Sequence, residues 1–186
     1  MKTFPVGLDV DGRACLVVGA GPVSARKVAA LIACGAQVTV VAPEVTAGVA
    51  EQAGVHIERR PYRRGEAAGY WFVTAATDDD AVNQQVADDA TAAHVWVNVA
   101  DDPAKCSAVL PAVLRRGPIT VAVSTSGRAP ALASWLRDRI AELIGPELEA
   151  VAAELAARRA AIHAEGRSTE GVDWYAQIEE LTGARR

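Results

Sequence analysis

The stretch LVVGAGPVSARK combines an apolar run with small residues at a spacing that could hold a phosphate group. Gly19 and Gly21 follow the apolar run, and Ser24 stands where a third small residue is expected. Glycines at a strand-to-helix turn let the backbone approach a pyrophosphate at a helix N-terminus. The short glycine pattern alone is weak evidence for nucleotide binding. Its place between a predicted strand and a predicted helix favours dinucleotide binding over a purely structural turn.

Two further stretches could bring polar groups to the same place. Thr77 and Asp78 end the run FVTAATD, and Asn98, Asp101 and Asp102 end the run VWVNVADD. Because the carboxyl ends of parallel strands meet at one edge of a sheet, these groups would lie beside the nucleotide crevice. A carboxylate there could accept a proton from a reacting carbon. The structural alternative is that the aspartates of both runs cap a helix or a turn.

The choice of nucleotide depends on the end of the second strand, VTVVAPE. An acidic residue about 20 positions after the first glycines commonly binds the ribose hydroxyls of NAD. Glu44 is the nearby carboxylate and comes slightly late, so backbone atoms of Ala42 and Pro43 would share this contact. Because this strand end carries no basic residue, the pattern favours NAD over NADP.

A parallel α/β sheet is needed to position these residues. From Ala14 to Ala100 short β-branched runs alternate with longer helical stretches, which is typical of such a sheet. The spacing predicts strands at 14–18, 37–41, 55–60, 70–76 and 95–99, and helices at about 23–34 and 79–92. We therefore predict an NAD(P)-binding Rossmann domain over residues 1–112.

The sequence changes character after Ala100. Runs at 108–114 and 119–124 flank Arg115-Arg116-Gly117-Pro118, which predicts a hairpin, and apolar residues recur at helical spacing from Pro130 onward. Residues 147–186 are alanine-rich and helical in pattern, with an interruption near 166–171. We predict an appended α+β dimerisation region at 113–146 and a helical C-terminal domain at 147–186. The apolar stripe of the first helix needs a packed partner.

Composition and charge exclude several classes of protein. Apolar residues make up 51% and charged residues 23% of the 186 positions, as in ordinary globular proteins. Cys15, Cys34 and Cys106 are scattered, which predicts no disulfide framework and no metal site and fits a reducing cytoplasm. A net charge of −4 argues against nucleic-acid binding. The longest apolar run is far shorter than the ~20 residues of a membrane span.

Four segments carry a resemblance to a known family: FPVGLDVDGRACLVVGAGPVSARKVAALIACGAQVTVVAPE, TAATDDDAVNQQVADDA, VNVADDPAKC and LPAVLRRGPITVAVSTSGRAPALASWLR. In order and spacing, over roughly residues 4–140, they are similar to the dehydrogenase and chelatase module of the siroheme synthase family. The resemblance implies a homodimer that oxidises precorrin-2 to sirohydrochlorin with NAD. In some members it also implies insertion of ferrous iron.

The resemblance also assigns cofactor residues. It implies contacts at Gly21, Pro22 and Val23 in the first turn and at Pro43 and Glu44 after the second strand. These join Gly19, Thr77 and Asp78, which the pattern itself places beside the crevice.

The resemblance places the family's proposed general base on Asp101. That carboxylate would accept a proton in dehydrogenation and the pyrrole protons in chelation. The tetrapyrrole substrate is a polycarboxylate, so an acidic protein must bind it through a local cationic lining. The predicted substrate-binding residues are Asn98, Lys105, Ser124 and Arg128.

Two other functions fit part of the pattern. A chelatase without dehydrogenase activity would commonly show paired histidines near the macrocycle, whereas His56, His94 and His163 are scattered. A non-catalytic module that senses the NAD/NADH ratio explains the two glycines equally well. It gives no role to Asp101 or to the loop STSGRAP.

Overall fold

Short β-branched runs form a five-stranded parallel sheet in the first part of the chain. In this computed structural model residues 3–183 are described, and the chain divides between Leu110 and Pro111 into two compact units. Residues 1, 2 and 184–186 of the predicted regions lie outside the described residues. The strands of the sheet are β1 (Ala14–Val18), β2 (Gln37–Val41), β3 (Val55–Glu58), β4 (Phe72–Ala75) and β5 (Trp96–Val99).

The order of the strands creates a crevice at one edge of the sheet. The order is β3-β2-β1-β4-β5, with every neighbouring pair parallel. The chain winds outward from β1 to β3, then returns to the other side of β1 for β4 and β5. The carboxyl ends of β1 and β4 therefore form the point where the winding direction reverses, which is where open α/β sheets bind ligands. The predicted Rossmann-like α/β fold is confirmed.

Helices α1 (Pro22–Ile32), α2 (Ala47–Ala50) and α3 (Asp80–Ala92) connect these strands. The helix α1 begins with a proline in its first turn, where the missing N–H costs nothing. Gly35, at a φ of 77°, donates its N–H to Ile32 O at 2.9 Å just after the helix ends. The predicted helices α1 and α3 are confirmed, whereas the short helix α2 was not predicted from the sequence.

Three strands are shorter than predicted because local turns interrupt them. The third ends at Glu58 rather than 60, since Arg60 N–H turns back to Glu58 O at 3.0 Å. The fourth begins at Phe72 rather than 70, since Tyr70 N–H closes a 3-10 turn on Ala67 O at 3.2 Å. The fifth begins at Trp96 rather than 95, since Val95 N–H donates to Ala90 O at 2.8 Å at the end of the preceding helix.

Apolar side chains cover both faces of the sheet, which explains why the strand sequences are continuous apolar runs. Leu16, Val73 and Val97 pack on the side of α3, where Val86 is also buried. The other side packs against α1 and α2 through a second group of buried residues. That group includes Cys15, Val17, Val38, Val40, Phe72, Val28 and Val49.

The second unit contains an antiparallel hairpin and three helices: β6 (Ala112–Arg116), β7 (Ile119–Val123), α4 (Pro130–Leu143), α5 (Glu147–Ala164) and α6 (Trp174–Thr182). The predicted hairpin and helical pattern are confirmed. The first hairpin strand starts at Ala112 instead of 108, because the N–H of Ala108 is taken by Val97 O at 2.9 Å. Arg115 and Arg116, predicted to lie in the turn, are strand residues. None of the helices in residues 3–183 is long and apolar enough to cross a membrane.

Candidate functional site

The glycine turn after β1 holds its backbone against the end of β4. Gly19 has a φ of 100°, and a methyl group on it would lie 2.8 Å from the carbonyl carbon of Ala76. Its N–H donates to Val41 O at 2.9 Å, which continues the pairing of β1 and β2. Both the left-handed φ and the close approach exclude a side chain here. Gly19 therefore shapes the turn.

Gly21 has a different environment. It precedes α1 at a φ of −83°, and no described atom lies within 4 Å of the position that a Cβ would occupy. The first helical bond runs from Ala25 N to Gly21 O at 3.0 Å, so the N–H groups of Val23 and Ser24 have no carbonyl partner within the helix. The sequence PVSA of this turn contains no carboxylate. Open space at a helix N-terminus fits the pyrophosphate of a dinucleotide.

Two hydroxyl groups tie this turn to its neighbours. Ser24 is fully buried and donates from Oγ to Ala76 O at 3.3 Å, so the small residue allows the close packing of helix on strand that the pattern predicts. Thr46, in the loop after β2, donates from Oγ1 to Ala20 O at 2.6 Å. This bond holds the loop that carries Pro43 and Glu44, both exposed, beside the glycine turn. Thr46 was not predicted from the sequence. The feature that could have indicated it is a hydroxyl residue just before a short helix.

The segment after β4 is ordered by hydrogen bonds of its own. Asn83, almost buried in α3, donates from Nδ2 to Thr77 O at 3.0 Å and accepts from Thr77 Oγ1 at 2.9 Å. Asp79 accepts from the N–H of Ala81 at 2.8 Å and so caps α3. The capping role thus belongs to Asp79, while Asp78 is exposed at the same edge of the sheet.

Asp101 has a left-handed backbone conformation directly after β5. Its φ is 59°, a value that aspartate and asparagine adopt more readily than most other residues with a side chain. The preceding residue, Ala100, donates its N–H to Ala75 O at 2.8 Å and extends the sheet to this point. The carboxylate is exposed at the carboxyl edge.

A buried thiol fixes the loop that carries Asp101. Cys106 Sγ accepts the N–H of Val99 at 3.2 Å and lies 3.3 Å from the carbonyl oxygens of Val99 and Asp102, to either of which it can donate. Burial raises the pKa of the Cys106 thiol, so it remains protonated and able to donate.

Lys105 joins two carboxylates. Its Nζ lies 2.5 Å from Asp80 Oδ1 and 3.1 Å from Asp102 Oδ2, and only 15% of its side chain is exposed. The bond to Asp80 raises the pKa of Lys105, and Lys105 in turn lowers the pKa of Asp102. These contacts link α3 to the Asp101 loop. The predicted contact of Lys105 with substrate remains a prediction.

Asn98 is engaged on both sides of its amide. It is 7% exposed, its Nδ2 donates to Ala108 O at 3.0 Å, and its Oδ1 accepts from Lys27 Nζ at 2.9 Å. The amide is therefore held within the protein. Lys27 is half-buried, and burial lowers its pKa. Sequence reasoning missed Lys27, although it ends the GAGPVSARK motif.

The other two predicted substrate residues belong to the second unit. The N–H of Ser126 donates to Ser124 Oγ at 3.1 Å, and Ser126 has a φ of 55°. Arg128 is exposed in the same loop, just before α4. The structure thus brings the cofactor residues, Asn98, Asp101 and Lys105 to one unit, and places Ser124 and Arg128 in a loop of the other.

Replacing Gly19 by alanine should destabilise the fold itself. The added methyl meets the Ala76 carbonyl, and the left-handed φ is unfavourable for alanine. We expect a loss of about 2–4 kcal/mol in the free energy of unfolding, measured by urea denaturation. Gly54→Ala is the matched control: its φ of 81° is also left-handed, but nothing described lies within 4 Å of its Cβ position. Equal losses in the two variants would show that contact with Ala76 adds nothing.

Comparisons with known proteins agree with a nucleotide-binding first unit. A family model described as putative NAD(P)-binding matches residues 6–112, and one described as sirohaem biosynthesis protein central matches residues 116–143. Siroheme synthase of Nitrosococcus oceani is 42% identical over 147 residues, which cover 77% of this chain and 31% of that protein. Siroheme synthase 3 of Aeromonas hydrophila is 38% identical over 156 residues, which cover 82% and 33%. The chain thus spans about a third of these relatives.

A solved structure resembles nearly the whole chain. The precorrin-2 dehydrogenase SirC matches with a TM-score of 0.72 and 27% identity, over 97% of this chain and 88% of SirC. The resemblance to siroheme synthases that the sequence predicts is confirmed. Because the first family model covers more than half of the residues, the chain belongs to the putative NAD(P)-binding family.

Proposed function

We propose that the chain is an NAD-dependent dehydrogenase that oxidises precorrin-2 to sirohydrochlorin in siroheme synthesis. One observation carries the proposal: the exposed carboxylate of Asp101 follows β5 at the same sheet edge as the open N-terminus of α1. The likeness to SirC, a precorrin-2 dehydrogenase, supports it over nearly the whole chain.

The residues around the glycine turn would hold the dinucleotide. The N–H groups at Gly21 and Val23, with Pro22 between them, would bind the pyrophosphate at the start of α1. Glu44 and Pro43 would bind the adenosine ribose, and the negative charge of Glu44 would repel a 2′-phosphate, which favours NAD over NADP. Thr77 and Asp78 would border the other half of the cofactor, beside β1. Bound NAD supplies the hydride acceptor.

Asp101 would act as the general base. Forming the new carbon–carbon double bond removes a hydride, which carries both electrons, and a proton from the substrate. The Asp101 carboxylate would accept the proton, and because it is exposed it can pass that proton to water. Cys106 and Asn98 keep the loop in place during this transfer.

Each unit by itself carries residues that we propose for binding the polycarboxylate substrate. In the second unit these are Ser124 and Arg128, from the loop before α4, and in the first unit Lys105. Asn98, whose amide is engaged by Lys27 and Ala108, would support the loop of Lys105 from within the protein. Arginine suits carboxylates because its planar group donates two parallel hydrogen bonds. Ferrous iron would be a second substrate, inserted after dehydrogenation with Asp101 accepting the pyrrole protons.

We also propose that the chain acts as a homodimer. Within the described part of the second unit Ala133 is the only buried side chain. Leu132, Trp135 and Leu143 of α4 are 49%, 56% and 81% exposed. Large apolar side chains exposed together on one helix mark an interaction surface, and we propose that a second copy of the chain covers this one.

Sedimentation should therefore give a mass about twice 19.4 kDa. Trp135→Asp should shift the protein toward the monomer, because it places a charge in the proposed contact. The control is Tyr175→Asp, at an aromatic residue of α6 that is 65% exposed, and it should leave the dimer intact. A monomeric wild type at micromolar concentration would overturn the dimer.

The scattered cysteines fit a reducing cytoplasm, where we place this activity. Cys15 and Cys106 are buried as thiols, and burial raises the pKa of Cys15 to about 11. Both are thereby kept unreactive.

The function is tested by anaerobic incubation of the purified protein with precorrin-2 and NAD. We expect the sirohydrochlorin absorbance to grow with NAD and not without it. Ferrous iron added afterwards should change the spectrum faster than in a protein-free control if the chain is also a chelatase. NAD binding without any turnover would overturn the dehydrogenase and favour the sensing module.

A further inference from the structure

Lys27 places a cation in the contact between α1 and the sheet, which is mostly apolar. It lies on α1, and the strand residues around α1 are apolar and buried, among them Cys15, Val17 and Phe72. Its Nζ nevertheless reaches Asn98 Oδ1 at 2.9 Å, across 71 positions of the sequence. A glutamine could also donate to an amide oxygen, so the need for a donor alone does not explain a lysine here.

A buried hydroxyl lies next to this contact. Thr74 pairs with Asn98 in the register of β4 and β5, so both side chains point to the α1 face of the sheet. Thr74 is fully buried, and its Oγ1 has no hydrogen-bond partner among the described residues. The end of this face is therefore a polar layer made of Lys27, Asn98 and Thr74.

The charges around Lys27 come from the loop that carries the proposed base. Burial lowers its pKa, whereas negative charge on Cys106 and Asp101 opposes that shift and Arg26 on its own helix reinforces it. Cys106 is held protonated by burial, so the Asp101 carboxylate is the counter-charge that remains.

We propose that Lys27 is a positioning residue of the dehydrogenase site, which orients Asn98 and balances the charge of the Asp101 carboxylate. Asn98 contacts the segment that follows Asp101, at Cys106 Sγ (3.6 Å) and Ala108 O (3.0 Å), so the orientation of its amide supports this loop. The inference rests on the proposed function, since the carboxylate must be ionised to accept a proton.

The kinetic test uses Lys27→Met, which keeps the length of the side chain and removes its charge. We expect kcat to fall about tenfold or more, with the KM for NAD changed by less than about twofold. Lys27→Arg should restore most of the activity because it keeps a cation and its donors. Arg26→Met is the matched control, since it removes an exposed cation one position earlier, and it should behave as wild type.

A double-mutant cycle separates positioning from a general structural effect. In an Asp101→Asn background, Lys27→Met should cost less than about threefold, because the carboxylate it serves is gone. Wild-type kcat in Lys27→Met, a loss confined to the KM for NAD, or additive losses in the cycle would each overturn the proposal.

A second measurement needs no turnover. The chain has three lysines, Lys2, Lys27 and Lys105, so acetylation by acetic anhydride at about pH 8 can be followed for each by peptide mass spectrometry. Asp101→Asn should raise the labelling of Lys27, because loss of the carboxylate favours the neutral amine. Labelling of Lys2 provides the reference, and an unchanged ratio would overturn the link between Lys27 and Asp101. A wild type that leaves precorrin-2 unchanged would instead remove the proposed function, and the catalytic role of Lys27 with it.

Discussion

Asp101→Asn is expected to lower kcat for precorrin-2 oxidation by about 10²–10⁴-fold, the usual contribution of a general base. The amide has the shape of the carboxylate but cannot accept the proton. Asparagine also tolerates the left-handed backbone, so the φ of 59° at this position is preserved. Fold and NAD affinity should therefore stay as in the wild type. The rate is measured anaerobically from the sirohydrochlorin absorbance, and the NAD affinity by calorimetry.

Asp102→Asn is the matched control for this experiment. Asp102 is the neighbouring carboxylate, but it contacts Ala104 N–H at 3.1 Å and Lys105 at 3.1 Å, so its role is to order the loop. Its amide can still accept from Ala104, and we expect a much smaller loss of kcat than in Asp101→Asn. If Asp102→Asn loses activity and Asp101→Asn keeps it, Asp101 is not the base.

Gly21→Val is expected to weaken NAD binding about 100-fold, or about 2.7 kcal/mol, while the protein still folds. The φ of −83° suits valine, and no described atom lies within 4 Å of the position of its Cβ. The cost to the fold is that of a poor helix cap, about 1 kcal/mol. The new side chain would fill the space in front of the first turn of α1, which the pyrophosphate needs. Calorimetric titration with NAD measures the affinity, and thermal unfolding checks the fold.

Gly69→Val provides the comparison for Gly21→Val. This glycine also has open space around its Cβ position, but it precedes β4 and so belongs to the opposite edge of the sheet. We expect wild-type NAD affinity for it. Unchanged affinity in Gly21→Val would make the turn structural and remove the proposed cofactor site.

The local part of the fold follows directly from the sequence. The predicted bounds of β1 and β2 agree with the structure, because each is a continuous apolar run between turn residues and both of its faces are buried. β3 and β4 are shorter than predicted. Their ends are set by turns that involve Arg60 and Tyr70, and side-chain patterns along a strand do not report such turns.

The candidate site also has a part that local sequence patterns predict and a part that they do not. Gly19 and Gly21 were named from a local pattern, since a tight turn has signals within a few residues. The strand end indicated Asp101 and Asp102 together, and the family resemblance singled out Asp101. The different roles of the two glycines do not follow from the pattern. A methyl on Gly19 would meet Ala76, which comes from another strand, and sequence spacing does not show which glycine touches the protein and which faces open space.

By itself the sequence determined the α/β pattern, the glycine turn and the position of Asp101, because hydrophobic periodicity and turn residues act over short distances along the chain. Only the tertiary structure decided that Lys27 meets Asn98 and that Lys105 joins Asp80 to Asp102. The members of the first contact are 71 positions apart, and Lys105 and Asp80 are 25 apart. Such pairs form because parallel strands bring their carboxyl ends to one edge of the sheet, whatever their separation in sequence.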